Sequence, residues 1–140
     1  MISGEPSGIE DYARRALDGQ PFSRLLRTEL VSASVGSAEL ALDLRDDLTQ
    51  QHGFAHGGIV SYLADNAITF AGGLAYGSDA LTSEFKINYL RPAVGTRLVA
   101  RASTKSKGKR QAVCVCEVFA VAEGVEKLCA LAQGTVLPVT

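Results

Sequence analysis

The chain has 140 residues, of which 46% are hydrophobic and 21% are charged, and its formal net charge at pH 7 is −1. This length and composition are typical of a single globular domain, here expected over residues 1–140, and they exclude an intrinsically disordered chain. The near-neutral charge provides no extended basic surface of the kind that binds nucleic acid.

The N-terminal segment predicts one short helix over about residues 8–18. Ser7-Gly8-Ile9-Glu10 matches a capping box, in which the serine accepts a hydrogen bond from a first-turn N–H and the glutamate reaches back to the cap. Apolar residues follow at helical spacing, and Gly19 with Pro21 is expected to end the helix. The first residues lack the basic and apolar regions of a secretory signal, so none is expected.

The longest apolar stretch predicts a second, longer helix over about residues 57–76. Its residues are apolar on nearly every side, so this helix is expected to be wrapped by other elements rather than to lie on a surface. Its end is expected near Gly72-Gly73 or at Gly77. A central aspartate, Asp65, is costly inside a bilayer, which argues against a membrane-spanning segment.

Segments on both sides of the long helix alternate apolar and polar residues, as strands do. The predicted strands span 30–35, 38–44, 81–89, 97–104, 112–121 and 127–136. Turns are expected at 36–37, 106–109 and 123–124, a polar loop at 46–55 and a break at 91–95. One long helix among about five to six strands, without a helix after each strand, predicts an α+β domain whose sheet curves around the helix.

Polar residues on the long helix are confined largely to one stripe. Ser61, Asp65 and Thr69 are spaced by four residues, so they share one face. This face is expected to look onto a cleft or a subunit interface. Aspartate is disfavoured inside helices and rarely buried without a partner, and perturbed carboxylates cluster at functional sites. Asp65 is therefore either a structural carboxylate bonded to Ser61 or a nearby N–H, or a functional one.

The start of the long helix, His56-Gly57-Gly58, has the features of an anion site. The first-turn N–H groups have no partner within the helix, the helix dipole adds partial positive charge, and glycines let another group approach closely. Together with Asp65, this turn indicates hydrolysis in which a carboxylate activates water or attacks a carbonyl. The sequence has no GxSxG motif and no convincing nucleophile–histidine pair that would indicate another route.

The cysteines and one basic cluster favour structural interpretations. The cysteines form no CxxC motif and are interpreted as small apolar side chains of a reduced cytoplasmic protein, without a disulfide or a metal. They are Cys114, Cys116 and Cys129. The basic cluster is either a solvated turn or a site for phosphates. It comprises Lys105, Lys107, Lys109 and Arg110.

Two segments resemble a known family. QQHGFAHGG at 50–58, followed by LADNA at 63–67, resembles the HGG…D signature of the PaaI-like hotdog thioesterases. TSEFKINYLRPA at 82–93 resembles the strand that follows the hotdog helix, and the whole resemblance covers roughly residues 25–137. It implies a hotdog fold, in which a curved antiparallel sheet wraps one long helix. It also implies hydrolysis of acyl-CoA thioesters, with no cofactor beyond the coenzyme A of the substrate.

The resemblance implies a catalytic role for six residues. They are Gln50, His56, Gly57, Gly58, Asp65 and Thr82. Asp65 would be the general base or the nucleophile, and the N–H of Gly57 or Gly58 would polarise the thioester carbonyl.

Other residues are implied in assisting and binding roles. The assisting roles fall to Gln50 or Gln51 and to Thr82 or Ser83. The side chains expected to contact the substrate, including its coenzyme A phosphates, are Ser61, Asn66, Ser83, Arg91, Lys109 and Arg110.

Spacing along the long helix predicts that the site is shared between subunits. Asp65 lies seven residues beyond Gly58, which is about 10 Å along the axis at roughly 1.5 Å per residue. A reacting carbonyl must lie near ~3 Å from both its donor and its base. The two groups are therefore expected from different subunits of a twofold homodimer, and such dimers are expected to pair into tetramers.

Two other functions fit the same fold. A non-catalytic acyl-CoA-binding or regulatory hotdog module would not need a buried carboxylate at Asp65. A hotdog dehydratase or hydratase would need a catalytic histidine and an acid on the helix, and His56 at the helix start fits that pattern poorly. The main prediction is thus an acyl-CoA thioesterase, with an aryl or medium-length acyl group preferred.

Overall fold

The computed structural model describes residues 5–139 and shows a six-stranded antiparallel sheet curved around one long helix. The helices are α1 (Pro6–Asp18), α2 (Pro21–Leu26) and α3 (Gly57–Tyr76). The strands are β1 (Glu29–Ser34), β2 (Ser37–Asp43), β3 (Ala80–Tyr89), β4 (Arg97–Lys107), β5 (Ala112–Ala122) and β6 (Val125–Pro138). Their order in the sheet is β1-β2-β4-β5-β6-β3, so β1 and β3 are the edges. The predicted fold class is confirmed.

The helix α3 forms the centre of the core. Buried residues occur in every turn from Ile59 to Leu74, because the sheet wraps a helix that is apolar nearly all round. Of the two ends considered, α3 ends at Gly77, which takes a left-handed φ of 68° that glycine adopts without strain. Within residues 5–139, no helix, α3 included, is both long and apolar enough to cross a membrane.

Glycines inside α3 let the helix approach the sheet closely. A Cβ built on Gly72 would lie 2.8 Å from two side-chain carbons of Val136 on β6. In the same strand, a Cβ on Gly134 would lie 3.4 Å from Ile68 of the helix. Small residues on both surfaces therefore set the distance between α3 and the β6–β3 side of the sheet, where the candidate site lies.

The N-terminal segment differs from the prediction in two ways. The helix α1 begins at Pro6 with Glu5 as its N-cap, so Ser7 lies in the first turn and the predicted capping box is wrong. Pro21, which was expected to end a helix, begins α2 with Gln20 as the N-cap. Both differences have one cause: the fixed φ of proline suits the first helical turn, where its missing N–H has no intrahelical partner anyway.

Two hairpin turns are displaced from their predicted positions. The β1–β2 turn lies at Val35-Gly36. The β4–β5 turn is closed by a hydrogen bond of 2.8 Å from the Gly108 N–H to the Gln111 carbonyl. It lies later than predicted because a register shift after Thr104 carries β4 on to Lys107.

The three cysteines are buried and unpaired. Cys114 and Cys116 share the buried face of β5, as expected from their spacing. Burial raises the pKa of the Cys116 thiol to about 12, and burial likewise raises the pKa of Cys114. These thiols therefore stay protonated near neutral pH and act as small apolar side chains.

Replacing Gly72 by alanine is expected to destabilise the protein, although alanine is the better helix former. The new Cβ would collide with Val136, and overpacking of this kind costs about 1–3 kcal/mol. Urea unfolding of the Gly72→Ala protein measures this loss. The double variant Gly72→Ala/Val136→Ala should lose less free energy of unfolding than the two single variants added together, and an additive result would contradict the close packing.

Candidate functional site

The polar stripe of α3 faces β3, and each of its three side chains bonds to that edge strand. Ser61 Oγ lies 2.5 Å from the Tyr89 hydroxyl. Thr82 Oγ1 lies 2.7 Å from Asp65 Oδ1 and 2.7 Å from Thr69 Oγ1. The stripe is half-buried, because the sheet ends at β3 and leaves this side of the helix partly uncovered.

Thr82 reaches Asp65 because β3 contains a bulge. Strict alternation places Thr82 on the same side of the strand as Glu84, which is exposed. The pairing of β3 with β6 shifts between Thr82 and Glu84, so Ser83 is the extra residue and Thr82 turns to the inner side. The Ser83 hydroxyl donates instead to the Thr135 carbonyl at 3.3 Å. Of the two hydroxyls expected near the carboxylate, the structure brings Thr82 there and not Ser83.

The Asp65 carboxylate is held through one oxygen. The Thr82 hydroxyl donates its proton to Oδ1 of Asp65. The Thr69 hydroxyl donates to the backbone carbonyl oxygen of Asp65 at 2.9 Å. Because Thr82 gives its single proton to Asp65 Oδ1, the single Thr69 proton is shared between the Asp65 carbonyl oxygen and Thr82 Oγ1. Within residues 5–139, Oδ2 of Asp65 receives no hydrogen bond, so this oxygen is available to a water molecule or a substrate.

At the start of α3, one backbone N–H is left available. His56 is the N-cap, and its Nδ1 accepts a hydrogen bond of 2.8 Å from the Gly58 N–H. The His56 carbonyl accepts from the N–H groups of Ile59 and Val60 at 2.9 and 3.3 Å. The Gly57 N–H has no acceptor in the described part of the chain, as expected for the first helical residue. Of the two predicted donors, Gly57 therefore has the N–H without a partner, whereas the N–H of Gly58 is bonded to His56.

Gly57 borders a cavity of about 430 Å³ that Gln50 and Arg91 also line. Gln50 Oε1 accepts the His52 N–H at 2.5 Å, which leaves the Gln50 Nε2 as a donor without a partner among residues 5–139. Gln51 is exposed and does not line this cavity. The other lining residues are mainly apolar: Phe54, Ala55, Val60, Tyr89, Leu90, Pro92, Ala93 and Cys129.

The carboxylate and the basic turn both lie away from Gly57 within one chain. Asp65 follows Gly57 by eight residues, which is about 12 Å along α3. Lys109 and Arg110 lie in the β4–β5 turn, at the opposite end of α3, where the Tyr76 hydroxyl donates to the Gly108 carbonyl at 2.5 Å. A single chain therefore does not assemble all of the predicted residues.

Asn66 is engaged in the packing of α2 rather than directed to the cavity. Its Nδ2 donates to Gln20, Ser23 and Tyr62 at 3.1–3.3 Å. The Tyr62 hydroxyl also bonds Ser23 and Thr28. These half-buried bonds hold α2 against α3, so the amide of Asn66 would have to break them to contact a substrate.

Thr69 and Tyr89 contact the candidate site but were not among the predicted site residues. The spacing of four between Asp65 and Thr69 was the available signal for Thr69. Tyr89 gives no such signal, because its contact with the helix start depends on the register of β3 along α3. Among residues 5–139, no three His, Cys, Asp or Glu side chains come together as metal ligands would.

Comparison of the sequence with known proteins identifies its relatives. Residues 52–127 match the family model of the thioesterase superfamily. A protein of Archaeoglobus fulgidus named "Putative esterase" is 33% identical over 129 residues, which cover 91% of this chain and 79% of that protein.

Solved structures share the architecture. A thioesterase family protein from Silicibacter pomeroyi superposes with a TM-score of 0.87 at 31% identity, covering 94% of this chain and 98% of that chain. The E. coli PaaI protein of the phenylacetic acid degradation operon superposes with a TM-score of 0.86 at 24% identity, covering 96% of each chain, and shows the same fold. The chain therefore belongs to the thioesterase superfamily, and its fold is the hotdog fold of PaaI-like thioesterases.

Proposed function

We propose that the protein hydrolyses acyl-CoA thioesters to a free acid and coenzyme A. Membership of the thioesterase superfamily supports thioester hydrolysis as the general class of activity. The proposal of acyl-CoA hydrolysis rests on the half-buried Asp65 carboxylate. Thr82 orients this carboxylate through Oδ1, and Oδ2 receives no hydrogen bond within residues 5–139. A carboxylate in this setting provides the base or nucleophile that thioester hydrolysis requires.

Asp65 acts in one of two ways in the proposed reaction. As a general base, it removes a proton from water, and the water oxygen attacks the thioester carbon and displaces the coenzyme A thiolate. As a nucleophile, its own oxygen attacks that carbon and displaces the thiolate, and water then hydrolyses the resulting anhydride. Thr82 holds Oδ1 in both cases, which leaves Oδ2 to face the water or the carbon.

The Gly57 N–H stabilises the negative charge in the proposed reaction. This charge develops on the carbonyl oxygen of the thioester, and a fixed N–H at the positive end of a helix dipole lowers its energy. The carbonyl of the same peptide, that of His56, accepts two hydrogen bonds, which polarises the peptide and strengthens its N–H as a donor. Gln50 Nε2, beside the same cavity, supplies an assisting donor.

The active site is proposed to lie between two copies of the chain. Asp65 and Gly57 of one helix are about 12 Å apart along the axis, too far to act on one carbonyl. As an edge strand, β3 has backbone groups available for pairing. Pairing with β3 of a second copy across a twofold axis would direct Asp65 of each copy towards Gly57 of the other. Association of two such dimers into a tetramer is a further part of the proposal.

The proposed substrate is a cytoplasmic acyl-CoA with an aryl or medium-length acyl group, and no cofactor or metal takes part. Arg91 borders the Gly57 cavity, and its positive charge would meet a coenzyme A phosphate bound there. Lys109 and Arg110 would meet phosphates only where a partner subunit brings the far end of α3 close to a substrate.

Replacing Asp65 by asparagine is expected to abolish most of the activity, because the amide is isosteric but neither takes up a proton nor attacks a carbonyl. We expect kcat to fall about 10²- to 10⁴-fold, the usual contribution of a general base. Thiol release from a panel of aryl and acyl coenzyme A thioesters measures the rates of both proteins. If the wild type binds these thioesters but cleaves none above background, the protein is an acyl-CoA-binding module rather than a hydrolase.

Replacing Thr82 by valine is expected to lower kcat about 10- to 100-fold, because a hydrogen bond to a charged group contributes about 1.5–3 kcal/mol. Valine keeps the shape of threonine and removes the hydroxyl that donates to Asp65 and contacts Thr69. Thr82→Ser is the matched control, since it keeps the hydroxyl and should retain most of the activity. Equal rates for the valine and serine variants would show that the hydroxyl does not orient the carboxylate.

Mixing two inactive variants is expected to restore activity if the site is shared between subunits. In a heterodimer of Asp65→Asn and Gly57→Pro chains, one site has both intact groups and the other has neither, because proline removes the N–H and suits the first helical position. Random exchange of subunits at equal concentrations should recover about one quarter of the wild-type activity, since half of the dimers are mixed and half of their sites are intact. Activity that does not rise after exchange, with exchange verified by mass spectrometry, would place each site within one chain.

A further inference from the structure

We propose that Tyr89 is a positioning residue that fixes the peptide carrying the oxyanion donor; this inference rests on the proposed function. The Tyr89 hydroxyl donates to the Gly57 carbonyl at 3.1 Å. The same hydroxyl lies 2.5 Å from Ser61 Oγ. Because Tyr89 gives its single proton to Gly57, Ser61 is the donor in the second bond. The result is a chain of hydrogen bonds from Ser61 through Tyr89 to the start of α3.

The peptide between Gly57 and Gly58 is thereby held at both ends. Its carbonyl oxygen, that of Gly57, accepts from Tyr89, and its N–H, that of Gly58, donates to His56 Nδ1 at 2.8 Å. The preceding peptide is held at its carbonyl oxygen by the N–H groups of Ile59 and Val60. Among the four polar groups of these two peptides, only the Gly57 N–H has no partner within residues 5–139.

Two successive glycines make this arrangement necessary. Glycine restricts φ and ψ less than any other residue, so Gly57 and Gly58 cannot fix their peptide planes through side chains of their own. An oxyanion donor contributes to catalysis only if it is aimed before the charge develops, and a displacement of about 1 Å costs about 100-fold in rate. External hydrogen bonds from Tyr89 and His56 provide that restraint.

The ring of Tyr89 adds a steric restraint to the hydrogen bond. A Cβ built on Gly57 would meet the Tyr89 hydroxyl, Cζ and Cε1 at 3.4, 3.5 and 3.6 Å, so the ring lies directly beside the glycine. Tyr89 as a whole is 54% exposed, so it contributes little to the hydrophobic core. It lines the same cavity as Gly57 and Gln50. Tyr89 therefore shapes the cavity beside Gly57 and contributes little to the stability of the fold.

Replacing Tyr89 by phenylalanine tests the proposal, because the ring stays and only the hydroxyl is lost. We expect kcat to fall about 3- to 10-fold, as for the loss of one neutral hydrogen bond, with KM changed less than about twofold and the melting temperature nearly unchanged. Tyr76→Phe is the matched control. It removes a tyrosine hydroxyl that donates to a backbone carbonyl at the opposite end of the same helix, and its kcat should equal that of the wild type.

A second measurement does not depend on turnover. The Gly57 carbonyl also accepts the i+4 N–H of its own helix, so Tyr89→Phe removes only the restraint that comes from outside α3. Hydrogen exchange of the Gly58 amide should therefore accelerate several-fold in Tyr89→Phe and remain unchanged in Tyr76→Phe. Ser61→Ala, which keeps Tyr89, should show a smaller change in the same direction. A Tyr89→Phe protein with unchanged kcat and unchanged Gly58 exchange would overturn the proposal. If the wild type cleaves no thioester, the proposed function fails, whereas the exchange experiment still decides whether Tyr89 restrains the peptide.

Discussion

The hydrogen bond from Thr82 to Asp65 is the interaction on which the candidate site depends. It joins the centre of the wrapped helix to the edge strand, and it turns a carboxylate that is unfavourable inside a helix into an oriented group with one available oxygen. The bond exists because a bulge at Ser83 changes which side of β3 faces the helix. One extra residue in a strand therefore decides whether Asp65 has a partner.

The helix α3 carries two separate groups of the candidate site at a fixed distance from each other. Its first residue presents an N–H at the positive end of the dipole, and its middle presents a carboxylate about 12 Å further along. Close packing holds α3 in place, because Gly72 and Gly134 leave no space between the helix and β6. This fixed separation within each chain is the basis of the proposal that two copies share a site.

Hydrogen bonds around α3 are divided between the candidate site and the packing of the N-terminal segment. On the β3 side, Ser61, Asp65 and Thr69 bond to the strand that borders the candidate site. On the α2 side, Tyr62 and Asn66 bond to the N-terminal segment and hold it against the helix. Neighbouring residues on one helix thus have different roles, because successive residues point about 100° apart and meet different elements.

The sequence by itself determined the long helix, the number and approximate positions of the strands, the polar stripe and the HGG turn, because periodicity and glycine placement are local properties. It also singled out Asp65, since a lone acid on an apolar helix stands out without any coordinates. Only the tertiary structure showed that Thr82 rather than Ser83 bonds Asp65, that the N–H of Gly57 rather than that of Gly58 lacks a partner, and that Tyr89 contacts the helix start. Those choices depend on a strand bulge, on the side chain of His56 and on the register of β3 along α3. Each of these is set by contacts between residues distant in sequence, or by one side-chain orientation that the sequence pattern does not encode.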